Sequence, residues 1–129
     1  MARISIIEDD QLISQMYRMK LESSGYEVSV ADNGMNGIKM VKEEVPDLIL
    51  LDLTLPDLGG EVVLDKLREI KTAMATPIVV LTNIDDVSAP KRLAKWDISD
   101  YIIKANLLPS EVVERIQEIL TLRKKLTNN

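Results

Sequence analysis

The stretch that most constrains this chain is Asp47-Leu48-Ile49-Leu50-Leu51-Asp52-Leu53-Thr54-Leu55-Pro56-Asp57-Leu58-Gly59-Gly60. A short apolar run that ends on a carboxylate, with proline and glycine close behind, predicts a buried strand that delivers Asp52 to a loop at its carboxyl end. Strands apolar on both faces belong to parallel sheets covered by helices, and in open α/β sheets the chemistry collects at the carboxyl edge. The simpler alternative makes Asp52 a helix cap. Helix-forming sequence resumes only near Gly60, too far along for Asp52 to cap it.

The rest of the chain alternates around that strand. Ala2 to Ile7 is an apolar run ending in Glu8-Asp9-Asp10, and Gln11 to Ser24 follows with Leu12, Met16, Met19 and Leu21 near helical spacing, stopped by Ser24-Gly25. Tyr26 to Ala31 alternates apolar and polar residues until Asp32-Asn33-Gly34 breaks it. Met35 to Glu44 predicts a helix that buries Ile38 and Val41 and stops at Val45-Pro46. Gly60 to Lys71 places Val63, Leu64, Leu67 and Ile70 on one helical face, opposite Glu61, Asp65, Arg68 and Glu69. Pro77 to Thr82 is a further strand, Ala89 to Trp96 a shorter helix with Pro90 in its first turn, and Asp100 to Lys104 a fifth strand ending in a charge. Pro109 to Leu126 closes the chain as a helix that buries Val112, Val113, Ile116, Ile119 and Leu120. The expected architecture is α/β: a doubly wound, five-stranded parallel sheet with five helices in three layers, as one domain over residues 1–126 with a loose tail at 127–129.

Composition removes several kinds of chemistry. With 129 residues the chain can bury a real core without staples. It has no cysteine, hence no disulfide and no thiolate, which suits a reducing cytoplasm. It has no histidine, so imidazole bases, imidazole metal ligands and a phosphohistidine of its own are excluded. No apolar run approaches the length of a membrane span. A net charge of −5 with few aromatics gives no basic or stacking face, so no direct nucleic-acid contact and no membrane contact are expected.

In a parallel sheet all carboxyl ends lie on one edge, so Glu8, Asp9, Asp52, Thr82 and Lys104 should converge there. Carboxylates within a few ångströms repel by about 4 kcal/mol per pair at an intermediate dielectric, so they share a proton or neutralise a cation. An all-oxygen set suits a hard, partly hydrated ion, Mg²⁺ rather than a fully caged Ca²⁺. Flanked by such an ion and by Lys104, one carboxylate can attack an electrophilic phosphorus while Thr82 donates a hydrogen bond to the transferred group.

This ordered set, Glu8-Asp9, Asp52, Thr82 and Lys104, each at the end of its strand, resembles the receiver domain of two-component response regulators, and the resemblance covers essentially the whole chain. It implies the flavodoxin-like strand order 2-1-3-4-5, as in single-domain chemotaxis regulators. It also implies that Asp52 is the phosphoacceptor and that Glu8, Asp9, Asp52 and the Thr54 carbonyl hold Mg²⁺. Thr82 is then the switch hydroxyl, Lys104 the phosphate-pairing lysine and Tyr101 the switch aromatic. Asp10 matches the family's acidic run but reads better as a helix-start carboxylate. Four positions depart from the family pattern: Ala105 stands where a proline usually follows the lysine, Asn83 where a small residue is usual, Asp97 where glycine is common, and Gly59 where aspartate is. The function implied is a cytoplasmic phosphorylation-controlled switch, not an enzyme. Its phosphoryl group comes from a sensor histidine kinase or phosphotransfer protein. Its output is binding to a target protein or a second copy through the face formed by the fourth helix, fifth strand and fifth helix. The alternative, a small Mg²⁺-dependent phosphohydrolase with Asp52 as nucleophile, needs a second acid–base group and a cap that no insertion here supplies. A flavodoxin-like nucleotide module would need a glycine-rich loop after the first strand, and none is present.

Overall fold

The computed structural model describes residues 2–83 and 86–127. Five parallel strands, β1 (Arg3–Ile7), β2 (Glu27–Ala31), β3 (Leu48–Asp52), β4 (Ile78–Thr82) and β5 (Asp100–Ile103), form one sheet in the order β2-β1-β3-β4-β5. Helices α1 (Gln11–Ser23), α2 (Gly34–Glu44), α3 (Gly60–Glu69), α4 (Ala89–Arg92) and α5 (Pro109–Thr127) connect and cover the strands. Because side chains alternate along a strand, the apolar runs of β3 and β4 feed two cores at once. Ile49, Leu51, Ile78 and Val80 pack under α2, α3 and α4, whereas Leu48, Leu50, Val79 and Leu81 pack under α1 and α5. All ten residues of β3 and β4 are buried, as a sheet covered on both faces requires.

Local chemistry sets the ends of the elements. Asp10 caps α1, its Oδ1 accepting from the Ile13 N–H at 3.1 Å, so it is the helix-start carboxylate expected. Asn33 caps α2 through Asn36, and that helix begins at Gly34, one residue earlier than expected. Gly37 faces Ile7 so closely that an added Cβ would sit 2.7 Å from its side chain; the glycine lets α2 lie directly on β1. Val45 leaves α2 in the left-handed region at φ 48°.

Three helices differ from expectation by more than a terminal residue. On α1 the buried residues are Ser14, Tyr17 and Leu21, while Leu12, Met16 and Met19 face solvent, Leu12 at 86% and Met19 at 70% exposure. Leu12, Met16 and Met19 form a true helical stripe, but Leu21 belongs to a different one, with Ser14 and Tyr17 at seven- and four-residue spacing. The sheet takes the stripe whose small serine and amphipathic tyrosine permit close approach. On α3, Val63, Leu64, Leu67 and Ile70 are buried as expected. Arg68, expected on the outer face, is half-buried instead: it donates to the carbonyls of Trp96 at 2.9 Å, Ala73 at 2.9 Å, Thr76 at 2.7 Å and Asp97 at 3.1 Å. The fourth helix, expected over Ala89 to Trp96, holds α-geometry for four residues and then tightens into a 3₁₀ turn, Ala94–Trp96. Asp97 follows at φ 56°, a left-handed conformation that glycine adopts without strain, and two of the Arg68 bonds pin this corner. Helix α5 runs to Thr127; Asn128 and Asn129 lie outside the described residues.

Candidate phosphoryl-transfer site

Strand register brings the expected residues to one edge. Ile7 lies opposite Leu51, Asp52 opposite Leu81, and Thr82 opposite Ile103, so Glu8, Asp52, Thr82 and Lys104 leave the sheet within one residue of a common line. Asp52 closes β3 at 2% exposure. Its Oδ1 accepts from the backbone N–H and the hydroxyl of Thr54, at 3.0 and 2.9 Å, and its Oδ2 accepts from Lys104 Nζ at 2.8 Å. Lys104 Nζ also lies 2.9 Å from Glu8 Oε1, close enough to pair electrostatically but not aligned as a hydrogen bond. Glu8 is 1% exposed, while Asp9 faces solvent. One carboxylate oxygen from each of Glu8, Asp9 and Asp52 falls within 4.8 Å of the others.

The β3–α3 loop is built to hold Asp52 there. Thr54 bridges to Gly59 across the loop, and an added Cβ at Gly60 would stand 2.6 Å from Leu53 Cδ2 and 3.1 Å from its backbone, so only glycine lets α3 start this near the strand end. Asp57, in the same loop, accepts from the N–H groups of Gly34 at 2.7 Å and Met35 at 2.9 Å, tying the loop to the start of α2. Those two donors hold its carboxyl below the usual carboxylate range. Sequence reasoning missed this cross-link, because a Pro-Asp turn signals a turn and not its distant partner.

The charges are tightly coupled. Burial, reinforced by the adjacent Asp52 carboxyl, pushes the Glu8 carboxyl up to about 8. Burial acts on Asp52 in the same direction, but Glu8, the Lys104 ammonium and the Thr54 N–H outweigh it and hold Asp52 below its ordinary value. Lys104, despite burial, is held up by the two carboxylates. The cluster therefore stabilises an ionised Asp52 beside a carboxyl that resists ionising, and added positive charge at Glu8 and Asp9 would relieve that conflict. The residues fit a hard divalent cation on those grounds: two buried carboxylates and an exposed one, all-oxygen, and with Glu8 Oε1 lacking any hydrogen bond.

Thr82 is buried, and its hydroxyl donates at 3.4 Å to the Ile102 carbonyl. Tyr101 is half-buried on β5, with its hydroxyl donating to the Pro90 carbonyl on α4 at 3.3 Å. The Lys104–Ala105 peptide is trans. A residue that sequence reasoning did not single out is Tyr17, whose hydroxyl is raised by burial and feels the charges of Lys104, Glu8 and Asp52. Its only sequence signal is the four-residue spacing to Leu21.

Comparison with known proteins agrees with this geometry. The family model for the response regulator receiver domain matches residues 4–117, and the chain belongs to that family. It is 35% identical over 118 residues to the alkaline phosphatase synthesis transcriptional regulatory protein PhoP of Bacillus subtilis, covering 92% of this chain and 48% of that protein. It is 32% identical over 120 residues to the response regulator ArlR of Staphylococcus saprophyticus, covering 93% and 53%. The chain thus spans about half the length of these relatives. Among solved structures, a CheY-like response regulator receiver domain protein from Methanospirillum hungatei superposes with a TM-score of 0.88 at 27% identity, covering 97% of this chain and 98% of that one.

Proposed function

We propose that this chain is a phosphorylation-controlled signalling switch in which Asp52 accepts a phosphoryl group from a phosphohistidine on a sensor kinase or phosphotransfer protein. One observation carries the proposal: a buried carboxylate, fixed on Oδ1 by Thr54 and on Oδ2 by Lys104, stands beside two further carboxylates at the sheet's carboxyl edge. An Asp52 oxygen attacks phosphorus, the phosphorus–nitrogen bond to the donor imidazole breaks, and the imidazole leaves with its electron pair. Lys104 pairs with the transferred oxygens, a stabilisation that grows as charge develops in a water-poor site. Glu8, Asp9, Asp52 and the Thr54 carbonyl would hold Mg²⁺, which when bound neutralises charge on the phosphoryl oxygens.

Once phosphorylated, Asp52 presents new acceptor oxygens, and Thr82 exchanges its long bond to Ile102 for one to them. Tyr101, packed against the core beside α4, then fills the space released, and the surface of α4, β5 and α5 changes its affinity for a target protein or a second copy. This makes the chain a switch rather than a turnover enzyme, and family membership does not favour the phosphohydrolase alternative. A net charge of −5 favours protein over nucleic acid as the direct partner of this segment. The transcriptional roles in relatives' names belong to proteins about twice its length. Among the described residues no helix is long and apolar enough to cross a membrane, which is compatible with a cytoplasmic setting. Incubation with acetyl phosphate and Mg²⁺ tests the proposal: the wild type should gain one phosphoryl group and Asp52→Asn none. Equal labelling of both proteins would refute it.

A further inference from the structure

Helix α4 should not stand on its own. It has four residues, its preceding Ser88 makes no capping bond, and isolated helices of that length are unstable in water. Ala89 and Leu93 anchor it to the core; apart from the Tyr101 hydroxyl on its Pro90 carbonyl, the polar ties described for it run through Arg92. Arg92 Nη1 and Nη2 meet Asp86 Oδ1 and Oδ2 at 2.9 and 3.0 Å, Nη1 also reaches Ser88 Oγ at 2.7 Å, and Nε donates to Glu61 in the first turn of α3. All three guanidinium nitrogens are engaged. The two acids come from segments that leave the site: Glu61 is the second residue of the helix after the Asp52 loop, and Asp86 lies four residues beyond Thr82. Leu53, Thr54, Gly59 and Gly60 line one cavity together with Glu61, Asp86 and Arg92, so the ion-pair cluster borders the phosphoacceptor loop directly.

We infer that Asp86, Arg92 and Glu61 form an electrostatic latch that holds α4 in the resting arrangement and sets how strongly a phosphoryl group must act to move it. The inference rests on the proposed movement of Thr82 toward Asp52. A bidentate carboxylate–guanidinium pair demands coplanar alignment, so a shift of the segment carrying Asp86 loosens it. The latch is then stronger in the resting state than in the active one, and only that difference biases the equilibrium. Exposed pairs of this kind are individually weak, which places the effect at a few-fold and not at orders of magnitude.

The test is a titration with beryllofluoride, a mimic of the aspartyl phosphoryl group, in saturating Mg²⁺, followed by the amide NMR signals of Thr54 and Gly59. Arg92→Gln and Asp86→Asn should each tighten apparent binding by about three- to fivefold. The double variant should gain no more than Arg92→Gln alone, because that variant already removes the contact to Asp86. Thermal melts establish that each variant is folded, and either single variant suffices for the comparison with wild type. Unchanged or weaker binding in the variants, or fully additive effects, overturns the latch. If the wild type binds no better than Asp52→Asn, the phosphoacceptor assignment fails and the latch falls with it; normal wild-type binding with unshifted variants removes the latch alone.

Discussion

Glu8 shows how a single residue couples the site to the stability of the fold. Its carboxyl ionises near 4.5 in the unfolded chain and near 8 in the native state, so between those values the native protein binds more protons. The stability this provides is complete below the unfolded value and is lost as pH rises through the native one. Asp52 works in the opposite sense: its depressed value stabilises the fold above the ordinary carboxylate range, and that contribution disappears in acid. Thermal melts in chelator should therefore show the midpoint falling as pH is raised from about 5 to about 9, and Glu8→Gln should flatten the slope. Parallel curves for the two proteins would sink this account of Glu8. Arg68 offers a second residue-scale test. Truncation to alanine takes a donor from four carbonyls, of which that of Ala73 keeps the Thr76 N–H, and releases the left-handed Asp97 corner, and should lower unfolding stability by about 2–4 kcal/mol in urea titrations. A loss within error of zero would mean that water satisfies those carbonyls equally well.

At the scale of elements, strand ends were the most legible part of the sequence. An apolar run that stops on a charge has one interpretation in a parallel sheet, and Glu8, Asp52, Thr82 and Lys104 do meet at one edge. Helix faces were less legible. Leu12, Met16 and Met19 satisfy helical periodicity yet face solvent, because period alone does not say which of two apolar stripes the sheet will take. The long-range polar ties were invisible: nothing in Asp57, Arg68 or Arg92 as letters names Gly34, Trp96 or Glu61 as a partner. Asp97 sits between these extremes, since its departure from the usual glycine marked a special backbone position that the structure shows to be left-handed. The brevity of α4 bears on switching, for an element with few ties opens most readily. In Thr82→Ala, Asp52 should still be phosphorylated, but hydrogen exchange across residues 86–101 should no longer respond. An equal response in wild type and variant would break the link through Thr82.

For the whole molecule, the carboxylate cluster makes the apo protein a compromise between charge and burial. A ligand that binds only the native state raises stability by mass action, about 1.4 kcal/mol at tenfold excess over its dissociation constant, or roughly 4–7 °C for a domain of this size. Adding Mg²⁺ should raise the melting temperature by that order, and Asp9→Asn should blunt the rise. No shift in the wild type at millimolar Mg²⁺ would remove the metal site from the account. The central claim concerns Asp52, and the most direct measurement is chemical. After treatment with acetyl phosphate and Mg²⁺, borohydride reduction turns an aspartyl phosphate into homoserine, which peptide mass spectrometry locates by residue. The account predicts homoserine at position 52 alone; reduction at Glu8 or Asp9, or none anywhere, would contradict it.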